Sequence, residues 1–213
     1  MIPTLHINPV LSERQRRQAA LVYYQSFAGN FAPLSRSPRQ VVRLLCRALN
    51  PERTVVVFAG DRVVAVAGMR FRGQQMLHFR LSHLARHLGW WQGLLSQTTT
   101  GYLLRSQEPD ELLVDGLAVR ESWRGRGIGK RLLTAIKEIA CSEGLSVVRL
   151  EVEADNSAAL GLYRKMGFRE VFFWEQDPLP PEEKISMEWP VHPETYRELS
   201  PEKNRFPGRI HRR

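Results

Sequence analysis

Apolar positions along the chain follow two different periods, and each period predicts one type of element. Residues 11–28 and 38–49 carry apolar side chains three and four positions apart, which predicts two amphipathic helices, the second opening at Pro38. Short apolar runs rich in valine cover 54–59 and 62–69. We expect these runs to form two strands joined by a tight turn, so that a helical pair precedes a β-hairpin.

The second half of the chain repeats both patterns in alternation. Strands are predicted over 111–119 and 147–152, and a helix between them from about Ile128 to Gly144. A short helix should begin at the cap residue Asn156 and end before Gly167, and a last hairpin is predicted from 171–174 and 185–189. The resulting order is helix-helix-strand-strand-insert-strand-helix-strand-helix-strand-strand. It indicates a mixed α/β fold around a central sheet.

The segment 73–110 interrupts this order as an insert. Its leucines and tryptophan recur at helical intervals between residues 81 and 95, which predicts a helix. Arginines are present but no Asp or Glu occurs from Arg62 to Gln107. Three interpretations stay open: a helix closing over the core, a lid for an anionic or apolar acceptor, and a surface facing a membrane or nucleic acid.

Composition places the chain among ordinary globular proteins. It has 213 residues, 43% hydrophobic and 25% charged, with a formal net charge of +9 that favours anionic partners. We expect one domain over 1–190 and a basic tail over 191–213. The N-terminus lacks the pattern of a signal peptide, no apolar run approaches the ~18 residues of a membrane span, and the two cysteines fit a reducing compartment. These features predict a cytoplasmic protein.

A metal site is not predicted. The two cysteines lack metal-ligand spacing, and His83 and His87 are four residues apart without a nearby carboxylate or cysteine to complete a site.

A glycine-rich loop between a strand and a helix carries the strongest chemical signal. It spans 124–130 and reads Arg-Gly-Arg-Gly-Ile-Gly-Lys. Successive backbone N–H groups at a helix start, with basic residues around them, form a cradle for phosphate. A P-loop is excluded because the spacing from Gly125 to Gly129 is one residue short and Arg131 replaces the hydroxyl residue. A dinucleotide fold is excluded because the glycines alternate and come late in the chain.

The joint spacing of several residues resembles the GNAT N-acetyltransferase superfamily. The pattern Arg124-x-x-Gly127-x-Gly129 is similar to its acyl-CoA signature, and Asn156 and Tyr163 follow at matching distances. The resemblance covers 111–174 strongly and 15–72 more weakly. It implies the acyl-CoA N-acyltransferase fold: a mixed, mainly antiparallel central sheet with a splayed strand and flanking helices.

The resemblance also implies acetyl-CoA as the acyl donor and a set of residues that bind it. The loop would receive the pyrophosphate, the splayed strand would pair with the pantetheine arm, and the strand's last N–H would stabilise an oxyanion. Asn156, which the spacing also makes a helix cap, would contact the arm. The basic residues of the loop could equally be a solvated helix start. The implied residues are Leu117, Ala118, Val119, Arg124, Gly125, Arg126, Gly127, Ile128, Gly129, Lys130 and Asn156.

Candidate catalytic residues follow from the same resemblance. Tyr163 matches the family's general acid, and its phenol suits protonation of a leaving thiolate, although it could also simply pack on the sheet. Two carboxylates compete as the base. Because side chains alternate along a strand, we expect Glu151 to lie on the opposite face of its strand from Leu150. For the same reason we expect Asp115 and Leu117, which are two residues apart, to share a face. Either could act through a water chain or serve only as an ion-pair partner.

The sequence thus predicts an N-acetyltransferase that moves an acetyl group directly to a primary amine of a small molecule, peptide or protein. The alternative is a domain that binds CoA without turnover, or one associated with nucleic acid through its insert or tail. Neither the acceptor nor the oligomeric state, monomer or homodimer, follows from the sequence.

Overall fold

The computed structural model of the protein describes residues 2–31, 37–79, 109–171 and 184–191. The helices in these ranges are α1 (Glu13–Ser26), α2 (Ala28–Phe31), α3 (Pro38–Ala48), α4 (Ile128–Ser142) and α5 (Ser157–Lys165). The strands are β1 (Thr4–Ile7), β2 (Thr54–Ala59), β3 (Arg62–Phe71), β4 (Gln74–Gln75), β5 (Glu111–Val119), β6 (Val147–Glu153), β7 (Arg169–Val171) and β8 (Lys184–Pro190). None of the helices in the described ranges is long and apolar enough to cross a membrane.

Local sequence signals account for the helix ends. Ser12 and Gln15 form a capping box at the start of α1, each side chain accepting a hydrogen bond from the backbone N–H of the other. Pro38 occupies the first turn of α3, where its missing N–H costs no hydrogen bond. Gly144, at φ 65°, follows α4, and Gly167, at φ 82°, follows α5. The predicted boundaries of these helices are therefore confirmed.

The described strands form one sheet in the order β1-β2-β3-β5-β6-β8-β7, with β4 paired to β3. Pairing is antiparallel throughout except between β5 and β6, which run parallel. The mainly antiparallel α/β fold expected from the sequence is confirmed. The edge strand β1 was not predicted, because its alternation of polar and apolar residues extends over only four positions.

Helices cover both faces of the sheet. On one face α4 and α5 bury residues such as Leu132, Leu133 and Leu160 against the sheet. On the other, α1 and α3 bury Val22 and Leu45 among others. The central strand β2 is buried over its whole length, which explains why it appears in the sequence as a continuous apolar run rather than an alternating one.

Strand β5 is splayed from β6. The two strands pair only over Glu111–Leu113 and Val147–Arg149, whereas β5 stays paired with β3 as far as Val119. A β-bulge interrupts the β3–β5 ladder, because Gly68 lies opposite Gly116 and Met69 lies opposite Val114. From Asp115 to Val119, β5 therefore pairs with β3 along one edge and with no described strand along the other.

The insert begins as a strand and not as a helix. Arg72 and Gly73 both have positive φ, 51° and 71°, and reverse the chain so that Gln74–Gln75 pairs with the end of β3. The sequence predicts a helix only between residues 81 and 95, so this short strand adds to the prediction for 73–110. The helix predicted between residues 81 and 95, the end of the strand predicted over 171–174 and nearly all of the 191–213 tail lie outside the described residues.

Candidate active site

The glycine loop leads from β5 to the start of α4. Gly125 and Gly127 have φ angles of 72° and 74°, a left-handed conformation that glycine adopts without a Cβ penalty. Gly127 is the residue before α4 and gives the helix no side-chain cap. The N–H groups of the first helical turn thus lack intrahelical acceptors, at the positive end of a 15-residue helix. The loop has the chemistry of an anion site.

The third glycine has a different role from the other two. A Cβ built on Gly125 or Gly127 would meet no atom within 4 Å, whereas one on Gly129 would lie 2.9 Å from Cδ2 of Leu162 and 3.9 Å from Cδ2 of Leu117. Gly129 thus permits α4, α5 and β5 to meet closely. The resemblance implied a ligand-binding role for all three glycines, and the packing role of Gly129 was not predicted.

Three basic side chains remain exposed around the loop. Arg124 donates from Nε to the carbonyl oxygen of Val119 at 3.2 Å, and the guanidinium carbon of Arg126 lies 4.9 Å from the ring centroid of Trp123. Lys130 is exposed on the first turn of α4. None of the three forms an ion pair with a described carboxylate, so their charge is available to an anion. Arg131, by contrast, donates to the carbonyl oxygen of Pro3 at 2.9 Å.

The side chains at the end of β5 divide between the two faces of the sheet. Leu117 and Val119 pack against the core under α4 and α5, and Ala118 packs against the core under α1 and α3. Because the backbone edge of these three residues faces the gap left by β6, an extended ligand arm could pair with it as another strand would.

Tyr163 lies on α5, on the same sheet face as the glycine loop's helix. Its side chain is buried, and its ring centroid is 6.0 Å from that of Phe168. Burial disfavours the phenolate and raises the pKa of Tyr163 to about 12. Its hydroxyl makes no hydrogen bond with any described residue. The group is therefore a protonated phenol at neutral pH, available as a hydrogen-bond or proton donor.

Glu151 is half-buried on β6, two residues beyond the last residue that pairs with β5. Leu150 and Val152 point into the core under α4 and α5, so Glu151 points to the opposite face, as strand alternation predicted. Glu151 and Tyr163 are therefore on opposite faces of the sheet.

Asp115 does not share a face with Leu117, and the expectation that it would was wrong. The bulge at Asp115–Gly116 shifts the alternation by one residue, so Asp115 lies on the α1 side while Leu117 lies on the α4 side. Strand alternation from the sequence could not detect this, because a bulge depends on the register with β3.

The surroundings of Asp115 make it part of a buried ion pair. An Nη of Arg70 lies 3.1 Å from its carboxylate, and both side chains are 8% exposed. The backbone N–H of Met76 donates to the same carboxylate at 3.4 Å, and the Tyr23 hydroxyl donates to the Asp115 carbonyl oxygen at 2.7 Å. Burial raises the pKa of Asp115, and the positive charge of Arg70 opposes that rise. Sequence reasoning missed Arg70 and Tyr23, since neither has a local signal pointing to Asp115.

Asn156 caps α5 as the sequence predicted. Its Oδ1 accepts from the backbone N–H of Ala159 at 3.1 Å, and the residue is exposed. The cap uses only the oxygen of the side-chain amide, so its NH₂ group can still donate to a ligand.

Comparison with known proteins gives the same family that the sequence resembles. The model of the acetyltransferase (GNAT) family matches residues 22–168. The N-alpha-acetyltransferase RimI of Mycobacterium tuberculosis is 46% identical over 63 residues, which cover 30% of this chain and 38% of that protein. The chain spans well under two thirds of the length of the curated relatives that it matches.

Solved structures share the fold at low sequence identity. The Ard1 protein of Thermoplasma volcanium superposes with a TM-score of 0.55 at 17% identity, covering 90% of this chain and 99% of that one. The PaiA N-acetyltransferase of Thermoplasma acidophilum, in complex with coenzyme A, gives a TM-score of 0.52 at 15% identity, covering 89% and 99%. Since the family match spans more than half of the chain, and the splayed strand and glycine loop occur in the expected order, this protein belongs to the acetyltransferase (GNAT) family.

Proposed function

We propose that this protein is an acetyl-CoA-dependent N-acetyltransferase that transfers the acetyl group directly to a primary amine. The observation that carries the proposal is the meeting of three features at one point. The uncapped start of α4, the splayed end of β5 and the helix bearing Tyr163 converge at Gly129, where an added Cβ would lie within 4 Å of the side chains of Leu162 on α5 and Leu117 on β5.

The residues of the loop fit a CoA pyrophosphate. Open space around Gly125 and Gly127 and the uncapped N–H groups of α4 favour a phosphate there, with Arg124, Arg126 and Lys130 supplying positive charge. The backbone of Leu117–Val119 would pair with the pantetheine arm, and the NH₂ group of Asn156 would donate to it. Ile128 would contribute only its backbone N–H, because its side chain is 2% exposed.

Acetyl-CoA would supply a thioester, whose carbonyl carbon accepts the amine nitrogen. In the transfer the new C–N bond would form and the C–S bond would break. The Tyr163 hydroxyl would give its proton to the departing sulfur, and the phenolate left behind would take one from the nitrogen that has become cationic. The raised pKa of Tyr163 keeps that proton in place at neutral pH, so the hydroxyl would donate a hydrogen bond to the sulfur and transfer the proton only as the C–S bond breaks. The backbone N–H near Val119 would donate to the thioester oxygen as negative charge develops on it.

Glu151 is the better candidate for the base that removes a proton from the acceptor ammonium. It is half-buried and lies on β6 beyond the point where β5 separates, whereas Asp115 is enclosed with Arg70. We assign Glu151 this role, directly or through one water, and we assign Asp115 to the positioning of β5. The acceptor class comprises primary amines of small molecules, peptides and proteins.

Two measurements test the proposal. Acetyl-CoA at 100 times its Kd should stabilise the folded protein by about 2.7 kcal/mol, seen as a raised melting temperature. A panel of small amines, peptides with free N-termini and lysine peptides should then release free thiol from acetyl-CoA. Stabilisation without thiol release for any amine would indicate a CoA-binding domain without turnover. Absence of stabilisation at millimolar acetyl-CoA would reject the assignment of the glycine loop.

A further inference from the structure

Helices α1 and α3 carry most of the net positive charge of the described chain. Residues 11–31 and 37–53 contain seven arginines, two glutamates and no lysine. By contrast, residues 109–171 contain ten basic and ten acidic residues and are balanced. The excess of positive charge therefore belongs mainly to α1 and α3, since Glu52 and Arg53 in the turn after α3 cancel each other.

The arginines of α3 form a single exposed row. Arg39, Arg43 and Arg47 are each four residues apart, about one helical turn or 6 Å, and all three are exposed. The buried side of the same helix consists of residues such as Val41 and Leu45. The row therefore points away from the core, and α3 holds no acidic residue that could neutralise it.

Two exposed arginines of α1 extend this row into a surface. Arg14 and Arg17 are exposed, and α1 packs beside α3. Burial raises the pKa of Cys46 on α3. The positive charges of Arg16, Arg17 and Arg47 oppose the rise and the negative charge of Glu13 adds to it, so three arginines from both helices and one glutamate lie near Cys46. We call Arg14, Arg17, Arg39, Arg43 and Arg47 the α1–α3 basic surface. Its members Arg14, Arg17, Arg39 and Arg43 form no ion pair with any described carboxylate.

We propose that the α1–α3 basic surface binds the phosphate backbone of a nucleic acid. Guanidinium groups bind phosphate through two parallel hydrogen bonds, and the surface uses arginine alone. The spacing of one helical turn is of the same order as that of successive phosphates along a strand. A membrane is a poorer partner: among the large exposed hydrophobic residues of the described chain, only Leu21 lies on α1 and none lies on α3, so little apolar surface could enter a bilayer.

Fluorescence anisotropy with labelled 20-nucleotide RNA, single-stranded DNA and duplex DNA tests the proposal on the full chain. Five phosphate contacts to a single strand predict a logarithmic salt slope of roughly −3.5, or about a hundredfold loss of affinity between 50 and 200 mM salt. The variant Arg39→Gln/Arg43→Gln/Arg47→Gln should reduce the magnitude of that slope by about 2. Comparing the three probes distinguishes RNA from DNA as the source of the phosphates.

A matched variant separates this surface from the effect of net charge. Arg72→Gln/Arg164→Gln/Arg169→Gln removes the same charge from exposed positions on other elements, and it should bind nucleic acid with the slope of the wild type. Retained stabilisation by acetyl-CoA would show that both variants are folded. Equal losses in the two variants would overturn the proposal. Binding only to polyglutamate or to vesicles containing phosphatidylserine would overturn it as well.

Discussion

Tyr163 and Asp115 show how burial gives two ionisable side chains of the candidate site different roles. Burial alone raises the pKa of the Tyr163 phenol, and its hydroxyl has no described partner, so its proton stays available. Burial also raises the pKa of Asp115, but the carboxylate is ion-paired with Arg70. The Tyr163 hydroxyl, which has no described hydrogen-bond partner, is therefore suited to catalysis. The Asp115 carboxylate, which is buried in an ion pair with Arg70, is suited to stabilising the fold.

Replacing Tyr163 tests its role as the acid. Tyr163→Phe keeps the ring and removes only the hydroxyl, so we expect kcat to fall about 10²–10⁴-fold while the Kd of acetyl-CoA changes little. Steady-state kinetics and calorimetry measure the two quantities. If the variant and the wild type turn over at equal rates, the acid role is wrong. A parallel loss of acetyl-CoA affinity would instead indicate a role in binding.

The two carboxylates can be distinguished by their effects on different quantities. Glu151→Gln should lower kcat by about 10²–10⁴-fold and remove the acidic limb of the pH–rate profile, because the neutral amide cannot accept a proton. Asp115→Asn should instead lower the free energy of unfolding by roughly 3–5 kcal/mol, since Arg70 then keeps a buried charge without its carboxylate. Denaturation and pH–rate profiles of both variants measure this. Loss of the acidic limb in Asp115→Asn alone would reverse the assignment.

At the scale of elements, the contact between the start of α4 and α5 fixes the geometry of the cradle. Gly129 lets Leu162 approach, while Gly125 and Gly127 supply backbone conformations. The glycines of one loop thus permit both the close packing of α4 against α5 and the left-handed backbone conformation of the loop. The positions of the glycines in the sequence predicted the loop, but only the packing distinguishes their roles.

A double-mutant cycle tests the packing role of Gly129. Gly129→Ala should destabilise the protein by roughly 1–3 kcal/mol, because the new methyl group would lie 2.9 Å from Leu162. The loss should shrink in a Leu162→Ala background, where the methyl group has space. Gly161→Ala on α5 is the control: nothing lies within 4 Å of its Cβ, so it should gain about 0.5–1 kcal/mol. Urea denaturation of each variant is the measurement, and an equal loss in both backgrounds would contradict the packing role.

Over the whole molecule, a buried charge network joins the two parts of the sheet on either side of the splay. Arg149 on β6 lies 3.1 Å from Glu111 on β5 and 2.6 Å from Glu188 on β8, and the three side chains are 2–5% exposed. The network lies next to the last paired residues of β5 and β6. The network therefore holds β5 and β6 together at the point from which the two strands diverge.

Removing the central cation should destabilise the whole sheet. Arg149→Met leaves two buried carboxylates without their arginine, and we expect a loss of roughly 3–5 kcal/mol in the free energy of unfolding. Arg164→Met is the matched control, because Arg164 pairs with Glu170 at the surface, where its side chain is 58% exposed. That variant should lose less than about 1 kcal/mol. Chemical denaturation of both variants measures the two free energies of unfolding. Similar losses in the two would show that burial of the network contributes nothing to the stability of the protein.

By itself, the sequence determined the helices, the central strands and the glycine loop, because these depend on local patterns: hydrophobic period, cap residues and glycine spacing. It also placed Tyr163, Asn156 and Glu151 on the elements that carry them. The tertiary structure decided the face on which Asp115 lies, its pairing with Arg70, the packing role of Gly129, the edge strand β1 and the network around Arg149. Each of these depends on strand register or on contacts between residues distant in the chain, and a bulge of one residue is enough to reverse a prediction based on alternation.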